Sequence, residues 1–597
     1  MTTPRSLRLL AATGAAAAAL SLLSLAAPEA RGKGPGAAPL AAPKLGVVVA
    51  VDGLSWPRLH GYRSRFTGGL SRLLAEGRLE RACRYRHINT ETGPGHAALG
   101  TGAPPRVTGI VANRWFEARG DGSLRQVYCT DVVREDPQNG DELLHPGPDN
   151  LRVPTMADRF VERYPEARVV SISGKDRGSI FLAGKTRSHS VWWWDKQSGR
   201  FVTSESYDPA APKSAPIAAV VSRWNKRDGA GYLPARLGLL WKRLASVLAP
   251  APPGEAAPVP AADLQTYQVP ANGLGFDHDV SRHKDGYFGG LYASPFVDEV
   301  VADVALAVLR SADVELGHRE TPDLLLLSFS AQDTVSHNYG PESEENLDAL
   351  LKLDAQLGRL FEVFDRDYPA GKVVLALSAD HGFLPIPESE ERRDRSFSGG
   401  RLVYGSYPGT SYLARLNRAL AEDLCLPAGS RPLHGSEGWN VKYDLPGLPA
   451  LRTVEGPCGP AGRPVTSADL DRVLPGAVRR LFSEEVSDVL LVSERQTWND
   501  NLPYVEFARN DFDAERSGEA ILIPRPNVLM HWDPGRGTGH GSQYDPETHV
   551  PLVFWGDGIT AVSSDSPTTP YDLAPTVGRL FGISVPDATG RPLAVGR

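Results

Sequence analysis

Five short apolar runs in this chain each meet an acidic or polar residue, and that arrangement leaves few folds open. They are Leu45–Val51 before Asp52, Ala167–Ser173 before Lys175, Asp323–Ser330 before Asp333, Lys372–Ser378 before Asp380, and Val550–Trp555. Near-continuous apolar strands of this length suit a parallel sheet covered on both faces, where no strand has a wet side. Between them lie stretches with helical spacing of apolar residues, Pro295–Leu309 and Glu344–Phe364. Strand alternating with helix predicts an α/β fold, a doubly wound, mostly parallel sheet sandwiched by helices. Such sheets bind ligands beyond the carboxyl ends of their strands. Asp52, Lys175, Asp333 and Asp380 all fall there.

Charge and the N-terminus narrow the partners. A net charge of -7 over 597 residues offers no concentrated basic face, so no nucleic-acid partner is expected. Arg5 and Arg8 precede a charge-free run of Ala, Leu, Gly and Ser from Leu9 to Ala27. That pattern predicts a cleaved signal peptide over residues 1–30, hence a periplasmic or secreted bacterial protein with no stable membrane anchor. Residues 31–45, rich in Gly, Pro and Ala, read as a flexible linker. The four cysteines, Cys83, Cys129, Cys425 and Cys458, form no C-x-x-C pair. In an exported chain an even count favours disulfides, and proximity pairs Cys83 with Cys129 and Cys425 with Cys458.

Two long regions interrupt the strand–helix rhythm. Residues of about 186–290 include Trp192, Trp193 and Trp194, and residues of about 395–535 include Cys425, Cys458 and a helical stretch Ser467–Phe482. Both read as insertions forming a cap over the sheet's edge, with the Trp triplet packing inside it.

The chemistry gathers at the strand ends. Asp52 stands in Val51-Asp-Gly53, Asp333 and His337 in one A-Q-D-T-V-S-H stretch, Asp380 and His381 in Asp-His-Gly, and His540 between glycines. Three carboxylates and three imidazoles suit zinc, and six ligands serve two ions. Two ions about 4 Å apart clamp the attacking and leaving oxygens of an in-line displacement. Thr92, in the Gly- and Pro-rich segment T-G-P-G-H, supplies a hydroxyl that a neighbouring cation makes nucleophilic. That segment reads as too broken for a long helix or strand. Asn113, and Lys175 and Arg177 in a turn after a strand, can hold the non-bridging oxygens of a phosphoryl group.

In this order and setting the motifs resemble the alkaline phosphatase superfamily. Within it the chain is similar to the PafA-like monoester-hydrolysing enzymes, close to the nucleotide pyrophosphatase/phosphodiesterase branch. The resemblance runs from Val48 to Tyr571–Thr576 and Gly582–Pro586 and implies an alkaline-phosphatase-like catalytic domain over 46–597. It implies Thr92 as nucleophile, with Asn113, Lys175 and Arg177 on the phosphate. Two zinc ions follow, one held by Asp52, Asp380, His381 and Thr92, the other by Asp333, His337 and His540. His540, flanked by glycines, is the implied ligand rather than nearby His549. The implied activity is hydrolysis of small phosphate monoesters by a monomer, with a phosphodiesterase or nucleotide pyrophosphatase as the alternative. The C/S-x-P-x-R pentapeptide of sulfatases, which share the fold, is missing.

Overall fold

A computed structural model describes residues 43–135, 142–226, 239–369, 371–404, 411–458 and 460–596. The signal peptide and most of the linker lie outside these residues. Among the described residues no helix is long and apolar enough to cross a membrane.

Strand Leu45–Val51 is the centre of a nine-stranded sheet. It pairs in parallel with Asp323–Phe329 on one side and Val373–Ser378 on the other. Val169–Ser173 and Ser190–Asp195 extend the parallel block beyond Asp323–Phe329. The three central strands are buried along their whole length. Their Val and Leu side chains belong to one core with helices Phe296–Leu309 and Glu344–Asp367. Apolar runs with no wet alternate face form this sheet because both its faces carry helices.

The last apolar run departs from the parallel expectation. Leu552–Gly556 pairs antiparallel with Val373–Ser378, Leu552 opposite Ser378. The chain has crossed the carboxyl edge in the preceding Gly-rich loop, so a strand starting there must run back down. At the far edge Ser190–Asp195 is the eighth strand and Arg200–Val202 the ninth. The Trp triplet is therefore part of the main sheet rather than of a cap. All three rings are buried, and Trp194 meets Phe201, Trp224 and Phe288 edge-on.

The stretch near 395–535 does build a second core. Strands Leu433–Glu437, Asn440–Tyr443, Ala520–Pro524 and Val486–Leu491 form a four-stranded sheet in that order. Helices Tyr412–Asp423 and Ser467–Phe482 bury Leu416, Leu420, Leu470 and Leu474 in the same cluster. Cys425 and Cys458 form a disulfide there. Closing a loop of that length is worth about 3–4 kcal/mol in chain entropy. The expected Cys83–Cys129 bond is not made, and both are buried free thiols. Cys83 lies in a bridge to Thr568, whereas Cys129 stands where a side chain on Gly93 would touch its sulfur, so each is committed to a different contact.

Candidate functional site

Thr92 opens a ten-residue helix, Thr92–Thr101, where the sequence reading expected a broken loop. Pro94 costs little there, because the first-turn N–H groups of a helix have no internal acceptor. The glycines serve close approach. A Cβ on Gly95 would stand 2.2 Å from the Asp380 carbonyl, and one on Gly100 2.1 Å from that of Phe181. The helix is thus pressed onto the carboxyl edge of the sheet, with Thr92 buried at its positive end.

The structure brings all the singled-out residues together around that hydroxyl. Asp52 ends the first strand, and Asp380 and His381 follow Val373–Ser378. Asp333 and His337 lie one turn apart on helix Ala331–Tyr339, and His540 comes from the loop before the last apolar strand. One ligand atom each from Asp52, Asp380 and His381 lie within 4.8 Å of one another, and so do those of Asp333, His337 and His540. His549 lies apart, its Nε2 2.7 Å from the Arg81 carbonyl.

The donor chemistry fits a pair of cations. Each histidine turns Nδ1 to a backbone carbonyl, His337 to Thr538 at 2.8 Å, His381 to Gly382 at 3.0 Å and His540 to Thr90 at 2.7 Å. A donating Nδ1–H leaves the Nε2 lone pair free for a metal. Buried Asp52 Oδ1, Asp333 Oδ1, Asp380 Oδ2 and His381 Nε2 have no hydrogen-bond partner. Unsatisfied buried carboxylates are costly unless a cation sits beside them.

Lys175 meets part of that demand. Its Nζ stands 2.5 Å from both Asp52 Oδ2 and Asp333 Oδ2 and 3.4 Å from Thr92 Oγ1. Burial and the Asp333 charge push Asp52 up, but Lys175 and His381 outweigh them and its carboxyl ends below the usual range. Asp333 ends low as well, burial being overcome by Lys175 and His337. Arg177 Nη2 is 3.4 Å from Thr92 Oγ1, and its Nη1 donates to Tyr128 Oη at 2.7 Å. Asn113 Oδ1 accepts the Gly93 N–H at 2.8 Å, which leaves both amide hydrogens of the side chain to face a ligand.

Several partners have no role in the sequence reading. His96 hydrogen-bonds Ser328 Oγ at 2.8 Å and turns Nδ1 to the Thr92 carbonyl at 3.0 Å, which leaves that nitrogen 3.1 Å from Asp380 Oδ2 and packs the Thr92 helix against Asp380. Glu91 accepts the Asn113 N–H at 2.6 Å. Asp176 accepts from Tyr128 Oη and Thr130 Oγ1, both at 2.9 Å, bracing the tyrosine that holds Arg177. His96 closes the T-G-P-G-H segment and Asp176 stands between Lys175 and Arg177, so their positions carry a signal. Nothing local marks Tyr128.

A model of the family described as type I phosphodiesterase/nucleotide pyrophosphatase matches residues 46–398. Over 558 residues the chain is 28% identical to alkaline phosphatase PhoK of a Sphingomonas species, spanning 91% of this chain and 89% of that one. It is 26% identical over 575 residues to alkaline phosphatase PafA of Elizabethkingia meningoseptica, spanning 92% and 94%. The crystal structure of wild-type PafA shares the fold, with a TM-score of 0.74 at 24% identity over 94% of this chain and all of that one.

Proposed function

The chain belongs to the type I phosphodiesterase/nucleotide pyrophosphatase family, and we propose that within it the protein is an exported alkaline phosphatase, hydrolysing phosphate monoesters through a phosphothreonine at Thr92. The observation that carries this reading is the pair of cations on the nucleophile, with Lys175 Nζ and Arg177 Nη2 each 3.4 Å from Thr92 Oγ1. Two positive groups beside the attacking oxygen complement a dianionic phosphoryl group. A diester carries one charge fewer and an extra substituent. That asymmetry, with whole-length similarity to alkaline phosphatases PhoK and PafA, favours monoesters over the diesterase alternative.

Thr92 Oγ gives up its proton to solvent and attacks phosphorus as the bond to the leaving oxygen breaks, and that oxygen takes a proton from solvent to depart as the alcohol. Asn113, Lys175 and Arg177 hold the three remaining oxygens. Water then attacks the phosphothreonine, phosphate leaves, and Thr92 recovers its hydroxyl. Asp52, Asp380, His381 and Thr92 would hold one zinc ion and Asp333, His337 and His540 a second, and the pair would supply the Lewis acidity that activates the hydroxyl and stabilises the leaving oxygen. Residues 1–30 direct export and are then cleaved off, and the mature protein acts as a monomer.

The test compares monoester and diester turnover in wild type and in a Lys175→Ala, Arg177→Ala double variant. Monoester kcat/KM falls on the order of 10³-fold, the scale of a lost oxyanion donor, and diester kcat/KM falls less. Unchanged monoester turnover ends the reading. Thr92→Ala abolishes turnover while elemental analysis still finds two zinc ions per chain.

A further inference from the structure

The site opens into a cavity of about 630 Å³ lined by Asn113, His337 and His540 on one side and Tyr404, Trp439 and Trp532 on another. Tyr404 and Trp532 are each 43% exposed, and they are the only aromatics among the exposed large hydrophobic residues described. Both line this one cavity. Their placement is built rather than incidental. Strands Gly400–Val403 and Val528–His531 pair in parallel with Val403 opposite His531. Tyr404 and Trp532 follow those ends side by side, and the Tyr404 N–H donates to the His531 carbonyl at 3.0 Å. The His531 ring stacks on Trp532 with centroids 5.3 Å apart.

The cavity wall also carries two acidic side chains. Glu91 and Glu437 line it, and burial, with Glu91 alongside, pushes Glu437 up to about 7. One cation, Arg114, shares the wall, donating to Gln126 of the same lining at 3.2 Å and lying over the Tyr128 ring, so the two glutamates outnumber it. Exposed aromatic faces beside carboxylates accept a flat apolar group and repel an anion.

From this geometry we infer that Tyr404 and Trp532 form a stacking platform for the leaving group, selecting phosphate monoesters whose alcohol carries an aromatic ring and no further negative charge. The inference rests on the monoesterase reading, because it needs the leaving oxygen on the His337 and His540 side.

Benzyl phosphate and ethyl phosphate, both esters of primary alcohols, separate the platform from the chemistry. In a Tyr404→Ala, Trp532→Ala double variant kcat/KM for benzyl phosphate falls roughly tenfold more than for ethyl phosphate, the scale of lost aromatic stacking. The Ki of benzylphosphonate rises in step while that of ethylphosphonate stays, which reads binding without turnover. A Tyr404→Phe, Trp532→Phe pair keeps both rings and restores the difference. Equal losses for the two esters, or none, overturn the inference. Failure of the monoesterase reading looks different, since wild type then turns over neither ester. For charge, 4-carboxybenzyl phosphate gains on benzyl phosphate in Glu437→Gln, and an unmoved ratio removes the acidic half of the selection.

Discussion

The two ligand groups of this site are built to different depths. Asp52, Asp380 and His381 have fully buried side chains, at the ends of adjacent central strands. Backbone N–H groups of Gly53 and His381 both donate to Asp380 Oδ1 at 3.0 Å and fix it. Asp333 and His337 instead ride a helix, His540 comes from a Gly-rich loop, and the His337 side chain is 38% exposed. His337 also lines both the aromatic cavity and a second one bounded by Lys175 and Arg177. The difference teaches a division of labour, in which a rigid group braces the Thr92 helix and a more open group faces the two cavities.

Removing one histidine from each group tests that division most severely. Losing a ligand costs more than the roughly 10–100-fold in metal affinity attached to an outer-shell partner. His381→Ala empties its own group and also lowers the unfolding temperature of the metal-loaded protein. His337→Ala releases the other metal with little change in that temperature. Elemental analysis paired with thermal unfolding checks this, and equal losses of stability would break the contrast.

Lys175 sharpens the comparison, because it bridges Asp52 of one group and Asp333 of the other. In chelated protein, Lys175→Met leaves two buried carboxylates without their counterion. Breaking a buried ion pair costs about 3–5 kcal/mol, read as a lower urea midpoint. Restoring metal narrows the gap, since the ions then carry the compensating charge. A gap that survives metal addition would mean that Lys175 stabilises the fold by packing alone.

Much of the rigid group was legible in the chain because chemistry-bearing residues stand directly after apolar runs. The strand period places Asp52 and Asp380 at carboxyl ends, but an Asp after a strand alone reads as a helix cap, and only the set of three carboxylates and three imidazoles points to metal ligands. The helix at Thr92 was illegible locally. Its glycines look like turn residues, yet their use is contact with Asp380 and Phe181, distant in sequence. Lys175 reads as a phosphate ligand in the chain, and only folding shows that it sits closer to two carboxylates than to Thr92. Cys83 and Cys129 mislead for the same reason, since proximity along the chain does not bring their sulfurs together.

One histidine from each group, His381 and His540, also responds oppositely to pH in the chelated protein. Burial pushes His381 down, but Asp380 and Asp52 outweigh it and hold its pKa at about 9. A raised value stabilises below the unfolded pKa of about 6.5, and that stability is lost as pH rises towards 9. Burial, with His381 stacked 3.6 Å away, drops His540 to about 3. A lowered value stabilises above about 6.5, and that stability is lost as pH falls towards 3. His381→Gln therefore flattens the alkaline limb of stability against pH, and His540→Gln the acid limb. One variant flattening both limbs would show that the two groups titrate as a single unit.

The smallest effect tests how the open group is held. Trp439 is buried in the second core, and its Nε1–H donates to the Gly541 carbonyl at 2.8 Å, one residue beyond His540. Its backbone N–H meets Asn89 Oδ1, and Asn89 Nδ2 donates to Asp511 at 2.9 Å. The second core thus reaches the His540 loop through this indole and through Tyr544 Oη, which donates to the Pro524 carbonyl at 3.1 Å, whereas the rigid group is held within the main sheet. Trp439→Phe keeps the ring and removes the donor, at a cost of about 1 kcal/mol. That cost falls on the Asp333, His337 and His540 group as several-fold weaker metal retention in a competition titration with a chelator, with the other group unchanged. Equal weakening at both groups would show that the second core supports the whole site instead of its open half.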